Sequence, residues 1–277
     1  MDALTIGLII FAAFLHASWN AVLRAGTDRL WSMTIMGLIG AALGVGLGLC
    51  LPPPAAASWP YMAASSGLQV AYSFLLVRAY RDGHLAHVYP LARGTAPLLV
   101  TVGALILLGE RPPPLAMAGV ALVSAGIIIL ALGRDRPDRP TLLFALATGA
   151  FIAAYMIVDG RGVRLSGHPI AYAAWLTALQ GLAMAASFIA VRRRLPAPPR
   201  GREGAATCGA AVIGACAYGI ALWAMGHAPV AEVSALRETS ILFAVLLGAL
   251  LLREPLTLWR LAGGCSIAVG AVCISGA

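Results

Sequence analysis

Charge is what this sequence holds least of. Only 11% of its 277 residues are Asp, Glu, Lys or Arg while 60% are hydrophobic, where a soluble domain carries roughly a quarter charged residues. That balance excludes water as the main solvent and requires a chain embedded in a lipid bilayer. Lysine is missing altogether, so the formal net charge of +8 rests on 19 arginines. Beside the abundant alanine, this reads as the base composition of a GC-rich genome rather than a need for guanidinium at every position. The arginines are scattered between apolar runs and build no basic domain with interleaved aromatics, which excludes nucleic acid as a partner.

Chemistry-bearing motifs are missing too. There is no HExxH, GxSxG, Walker loop or paired-carboxylate motif, and the longest loop, about 13 residues, has no room for a catalytic domain. The chain is read as a non-enzyme with no cofactor. Cys50, Cys208, Cys216, Cys265 and Cys273 all lie in apolar stretches without CxxC or Cys/His spacing, so they are read as packing residues, with no metal and no disulfide framework. The N-terminus, MDALTIGLIIFAAFLHASWNAVL, lacks the basic start and small-residue cleavage site of a signal peptide and is read as a retained first span.

What is present is a series of apolar runs. A bilayer core takes roughly 20 helical residues to cross, and ten segments of about that length fit at 3–23, 32–51, 60–80, 86–108, 114–133, 141–158, 169–191, 205–225, 230–252 and 257–275. Turn-forming clusters separate them, among them Gly26-Thr27-Asp28, Pro52-Pro53-Pro54, Arg81-Asp82-Gly83 and Pro112-Pro113-Pro114. The stretch 86–130 returns 144 positions later as 230–274, aligning Arg93 with Arg237, Thr95 with Thr239, Glu110 with Glu254, Gly119 with Gly263 and Gly126 with Gly270. Charged residues and glycines falling into register together mark a duplication rather than shared apolar composition. Trp19 and Tyr155 extend the match to the first segment of each half. The expected fold is an all-α integral membrane protein of ten transmembrane helices, built as two five-helix repeats, 1–133 and 140–277. An odd number of helices per repeat inverts the second copy relative to the first.

Orientation is read from the arginines. Fourteen, from Arg24 and Arg29 to Arg253 and Arg260, flank the loops after the odd segments, against Arg111, Arg161 and Arg164 on the other side. This places the odd loops in the cytoplasm and both termini outside the cell (inner) membrane. Gly40, Gly44 and Gly48 in segment 2, Gly119, Gly126 and Gly133 in segment 5, and Gly263 and Gly270 in segment 10 are read as close-packing faces within one chain or between two. Monomer and homodimer both remain open.

Arg93 and Arg237 are left over once the loop arginines are set aside. A charge at mid-bilayer costs about 2.5–3.5 kcal/mol on insertion scales and usually faces a cavity or a partner, so both guanidiniums are expected in a central crevice. Glu238 could bond Arg93 across the axis, act as a titratable site, or meet a substrate ammonium. Pro90 and Pro97 predict a kink or local unwinding in segment 4, with no counterpart in segment 9. His16, Trp19 and Asn20 share one helix face, too polar for lipid, and Tyr72, Tyr155, Gln69, Gln180 and Tyr218 also sit at depth. Asp159 and His168 are read as near enough to a helix end to be solvated, and Trp31, Trp59 and Trp175 as packing or interface aromatics.

The run Leu-Leu-Gly-Glu110-Arg111, its partner Leu-Leu-Arg-Glu254-Pro255, the glycine-rich helices that follow, and an aromatic-bearing helix opening each half resemble the EamA-type branch of the drug/metabolite transporter superfamily. The resemblance implies ten helices, two inverted repeats, a central cavity and alternating access for small metabolites. Tyr89-Pro90-Leu91-Ala92-Arg93-Gly94-Thr95 and Leu236-Arg237-Glu238-Thr239-Ser240 look like a subgroup associated with phosphonate utilisation. Unlike the small multidrug-resistance proteins, the first segment bears His16 and no membrane carboxylate. The expected activity is secondary transport of an amino acid, phosphonate or other small anion or zwitterion, contacted by Arg93, Arg237, Glu238, Tyr89, Trp19, Asn20, Tyr155, His16 and Tyr72, with lipid as the surrounding partner. The alternatives are a proton-coupled exporter of hydrophobic cations that relies on Glu238, and a membrane scaffold that transports nothing.

Overall fold

Apolar runs this long must satisfy their backbone polar groups internally inside lipid, and the described residues form helices joined by short loops. The structure, a computed structural model, describes residues 1–81, 85–132, 138–252 and 257–277. The side chains of Arg24 and of residues 79–81, 85–89, 132 and 247–252 also lie outside that description. Several sequence features fall there: Asp82, Gly83, Gly133, Arg134, Arg136, Arg253, Glu254 and Pro255, together with the side chain of Tyr89.

The helices are α1 (Ala3–Ala25), α2 (Arg29–Leu49), α3 (Trp59–Arg81), α4 (Leu85–Gly103), α5 (Pro114–Leu132), α6 (Arg139–Leu165), α7 (Pro169–Arg192), α8 (Gly201–Met225), α9 (Val230–Arg237), α10 (Ser240–Leu252) and α11 (Leu258–Ser275). Among the described residues, eight helices are long and apolar enough to cross a bilayer. Aspartates start three of them: Asp2 accepts from the Thr5 amide at 2.8 Å, Asp28 from Trp31 at 3.1 Å and Asp138 from Thr141 at 3.0 Å. Such a side chain answers one of the first-turn donors that have no partner within the helix.

Two sequence expectations change. The sixth helix does not stop at 158 but runs 27 residues to Leu165, because Gly160 and Gly162 pack rather than turn. A Cβ on Gly162 would meet Tyr61 Cβ at 2.7 Å. The irregular helix is also the other one of its pair. Helix α4 is continuous through Pro90 and Pro97, and its irregularity comes later, in a π turn over Ala104–Leu108 closed by Gly109 at φ 68°, a left-handed position that suits glycine. The proline-free ninth segment breaks instead. Between α9 and α10 the amides of Glu238, Thr239 and Ile241 bond the carbonyls three residues back, at 3.0, 3.1 and 3.0 Å, a tight turn that replaces the α-helical pattern.

Packing is organised around α2 against α7, α5 against α11, α4 and α3 against α6, and α1 against α8. Glycine makes the closest approaches possible. A Cβ on Gly119 would lie 2.6 Å from the Gly270 carbonyl oxygen and one on Gly270 2.7 Å from that of Gly119. Gly126 and Gly263 make the same reciprocal pair at 2.6 and 2.7 Å. On α2, Gly48 would meet the Trp175 ring at 2.9 Å, so the small-residue faces of α2, α5 and α11 are all occupied within one chain.

Gly126→Leu therefore drives a side chain first into the Gly263 carbonyl, with Ile267 beside it. It is expected to cost about 1–3 kcal/mol or more, read as a lower unfolding midpoint in detergent. Gly7→Ala, where nothing lies within 4 Å of the added carbon, leaves the midpoint in place.

Candidate functional site

The break between α9 and α10 concentrates polar groups that a continuous helix would have spread around its circumference. Arg237 ends α9, Glu238 occupies the turn and Ser240 begins α10. Arg93 reaches this turn from α4, its Nε 2.8 Å from Glu238 Oε2, and its guanidinium donates to Ser240 Oγ at 3.1 Å. Arg93, Glu238 and Ser240 are all buried. Of the roles open to Glu238, the structure shows the ion pair with Arg93. Arg237 is buried as well, with its guanidinium carbon 5.2 Å from the centroid of the Tyr218 ring, a cation–π arrangement. Its Nε has no hydrogen-bond partner among the described residues.

Both arginines border a cavity of about 170 Å³ enclosed by α1, α2, α3, α4, α6, α7, α8 and the end of α9. That is below the roughly 300–1,000 Å³ of drug-sized sites. His16, Trp19, Tyr72, Tyr155, Gln69, Gln180 and Tyr218 share its wall. The His16 and Trp19 rings meet edge to face at 5.1 Å, and Tyr155 stands between Tyr72 and Tyr218 at 6.0 and 6.2 Å. Of the other sequence candidates, Asn20 is not part of the wall and donates instead to the His16 carbonyl at 2.8 Å. Glu238 stands behind the wall, holding Arg93. Among the described residues no three His, Cys, Asp or Glu side chains gather as metal ligands.

Asp159 departs most from the sequence reading. It is fully buried, not solvated. Tyr172 donates to its Oδ1 at 3.0 Å, Tyr218 to its Oδ2, and Gln69 Nε2 lies 3.5 Å from Oδ2. The misreading came from ending the sixth helix too early, which put Asp159 at a solvated helix end. Sequence inspection also missed Met33, Met36 and Met184 in the cavity wall, since methionine in an apolar helix carries no signal of which way it faces. Ser240 was missed because it belongs to the site only once the helix breaks.

The break itself is supported from the opposite end of α9. Glu110, which follows the π turn, accepts from the Val230 amide at 3.0 Å and the Ala231 amide at 3.5 Å. Arg164 binds the same carboxylate at 2.5 Å and donates to the carbonyls of Met225 and Ala228 at 3.1 and 3.0 Å. Glu110 stood out in the sequence as a repeat marker, and its structural task is to begin α9.

Residues 139–276 match the EamA-like transporter family. The chain belongs to the EamA-like transporter family. It is thereby a multi-pass membrane protein of a transporter family rather than an enzyme family. The match begins at the first residue of α6 and ends one residue beyond α11. No curated protein matches the chain. A protein known from a crystal structure is similar over 98% of this chain and 96% of its own, with a TM-score of 0.77 and 21% identity, a likeness that shows the fold alone.

Removing one partner of a buried ion pair strands the other. Glu238→Leu is expected to cost about 3–5 kcal/mol, and the double variant Arg93→Met/Glu238→Leu to recover most of it. Denaturant unfolding of the two single variants and the double in detergent checks this coupling.

Proposed function

We propose that this chain is a secondary transporter that carries a small organic anion or zwitterion, an amino acid or phosphonate in kind, across the cytoplasmic membrane by alternating access. The single observation that carries this reading is Arg237: a buried guanidinium at a cavity wall, stacked on Tyr218, with a donor left unanswered. An unmatched buried donor is costly, and an anionic group entering the cavity relieves that cost. Arg93, His16, Trp19, Tyr72 and Tyr155 complete the proposed contacts, with Glu238 setting the position of Arg93. Asn20 would act through His16, and Tyr89 remains a candidate from sequence.

Movement is proposed to occur between two inverted five-helix repeats, 1–133 and 140–277, with α9 and α10 together forming one discontinuous span. The packing supports a two-fold relation. Helix α1 lies on α8 as α6 lies on α3, while α2 with α7 and α5 with α11 pair across the middle. Discontinuous helices at the repeat interface are a recurrent way to build a transporter site. An exporter of hydrophobic cations would need Glu238 free to meet them, and its contact with Arg93 speaks against that. No nucleotide-binding motif occurs, so the driving force is a gradient of substrate or ion.

In proteoliposomes, Arg237→Gln is expected to lower uptake of a panel of L-amino acids, aminoalkylphosphonates and small carboxylates at least tenfold, without lowering the unfolding midpoint as Glu238→Leu does. Wild-type uptake of tetraphenylphosphonium but of no anion or zwitterion, unchanged by Arg237→Gln, would overturn the reading. The arginine-rich loops are proposed to be cytoplasmic. A reporter enzyme active only outside the cytoplasm is therefore expected to be active when fused after Ala277 and inactive when fused after Arg200.

A further inference from the structure

Asp159 lies behind the cavity wall and takes no part in the substrate contacts proposed above. Its hydrogen-bonding neighbours are neutral: Tyr172 of α7, Tyr218 of α8, and Gln69 and Ser65 of α3. Ser65 also accepts from Gln69 at 3.0 Å, and neither α3 side chain titrates. From its own helix Tyr155 stands one turn away, and from α9 the nearest charge is Arg237, on the face of the Tyr218 ring. Among the described residues Asp159 forms no ion pair, whereas Glu238 is held against Arg93 at 2.8 Å.

Glu232, buried at the start of α9, lies toward Glu110 and the N-terminus. The buried charged groups next to the cavity are two cations, Arg93 and Arg237, and two anions, Glu238 and Asp159. With all four ionised this region is neutral. A monoanion that enters would leave one uncompensated negative charge in a medium that penalises it heavily. A proton restores neutrality, and the geometry decides where it goes. On Glu238 it would strand Arg93, and on His16 it would set a third cation beside two guanidiniums. On Asp159 it only reverses a hydrogen bond: the new O–H donates to Tyr218, whose hydroxyl then rotates its own proton elsewhere.

We infer that Asp159 is the proton-binding site coupled to cargo: entry of an anion is accompanied by transfer of one proton from water to Asp159, and its exit by release of that proton. The inference rests on the anion-transport reading above. It adds that an anion moves together with a proton, while a zwitterion, which brings no net charge, does not require one.

The test has two arms. In lipid nanodiscs, an infrared difference spectrum between acid and alkaline states is expected to show a carboxylic C=O band that Asp159→Asn removes and that Tyr218→Phe and Asp159→Glu retain. A band unaltered by Asp159→Asn overturns the assignment whatever is transported. In the second arm, binding of L-lactate and methylphosphonate is followed by calorimetry across pH. One coupled proton makes wild-type affinity fall about tenfold per pH unit above the titration of Asp159, and Asp159→Asn is expected to flatten that slope relative to wild type. Equal slopes in wild type and Asp159→Asn overturn the coupling. No binding of either probe, or of the amino-acid panel, to the wild type overturns the anion-transport reading and the coupling with it, while the infrared band still reports whether Asp159 takes a proton.

Discussion

A helix broken at membrane depth exposes backbone groups that lipid cannot satisfy, and the central architecture of this protein follows from how that exposure is covered. The short helix α9 can exist because Glu110 takes its first amides and Arg164 ties that carboxylate to the carbonyls ending α8. At its other end, three-residue hydrogen bonds keep the turn closed on itself. Polar side chains gather at the break because it lies in protein, not in lipid. Arg93, Arg237, Glu238 and Ser240 meet there, and each would be a liability on a lipid-facing helix.

Much of this was legible in the residues. Arg93 and Arg237 stood out because a charge inside an apolar run needs a reason, and their shared place in the duplication gave the reason a location. His16, Trp19, Tyr72 and Tyr155 were found by depth and helical spacing. The errors share a physical origin. Pro90 and Pro97 were read as kinking the fourth segment, yet in a crowded bundle they sit in a continuous helix. The actual break, at Glu238-Thr239, has no proline or glycine to announce it. Its signal was the concentration of polar residues in Arg237-Glu238-Thr239-Ser240, which was read as chemistry rather than as local geometry. Asp159 was read as solvated because the sixth segment was ended at 158, whereas tertiary packing carries the helix on to Leu165.

The two copies of the duplicated stretch differ at one residue in particular. Arg93 and Arg237 occupy equivalent places in the duplicated stretch, but Gly94 stands opposite Glu238. That one carboxylate gives the two guanidiniums different tasks: it holds Arg93 in place and leaves Arg237 to an aromatic face and an open donor. Two free cations side by side would repel each other, and pairing one of them with Glu238 lessens that repulsion.

The glycine seam between α5 and α11 bears on motion as well as on stability. At its two closest points, Gly119 with Gly270 and Gly126 with Gly263, backbone approaches backbone, with Val123, Leu130, Ile267 and Ile274 packed alongside. Sliding would bring the bulk of Leu130 and Ile274, which flank the seam, against main-chain atoms, whereas tilting about the crossing keeps both contacts near their present length. A seam built this way is stiff to translation and softer to rotation.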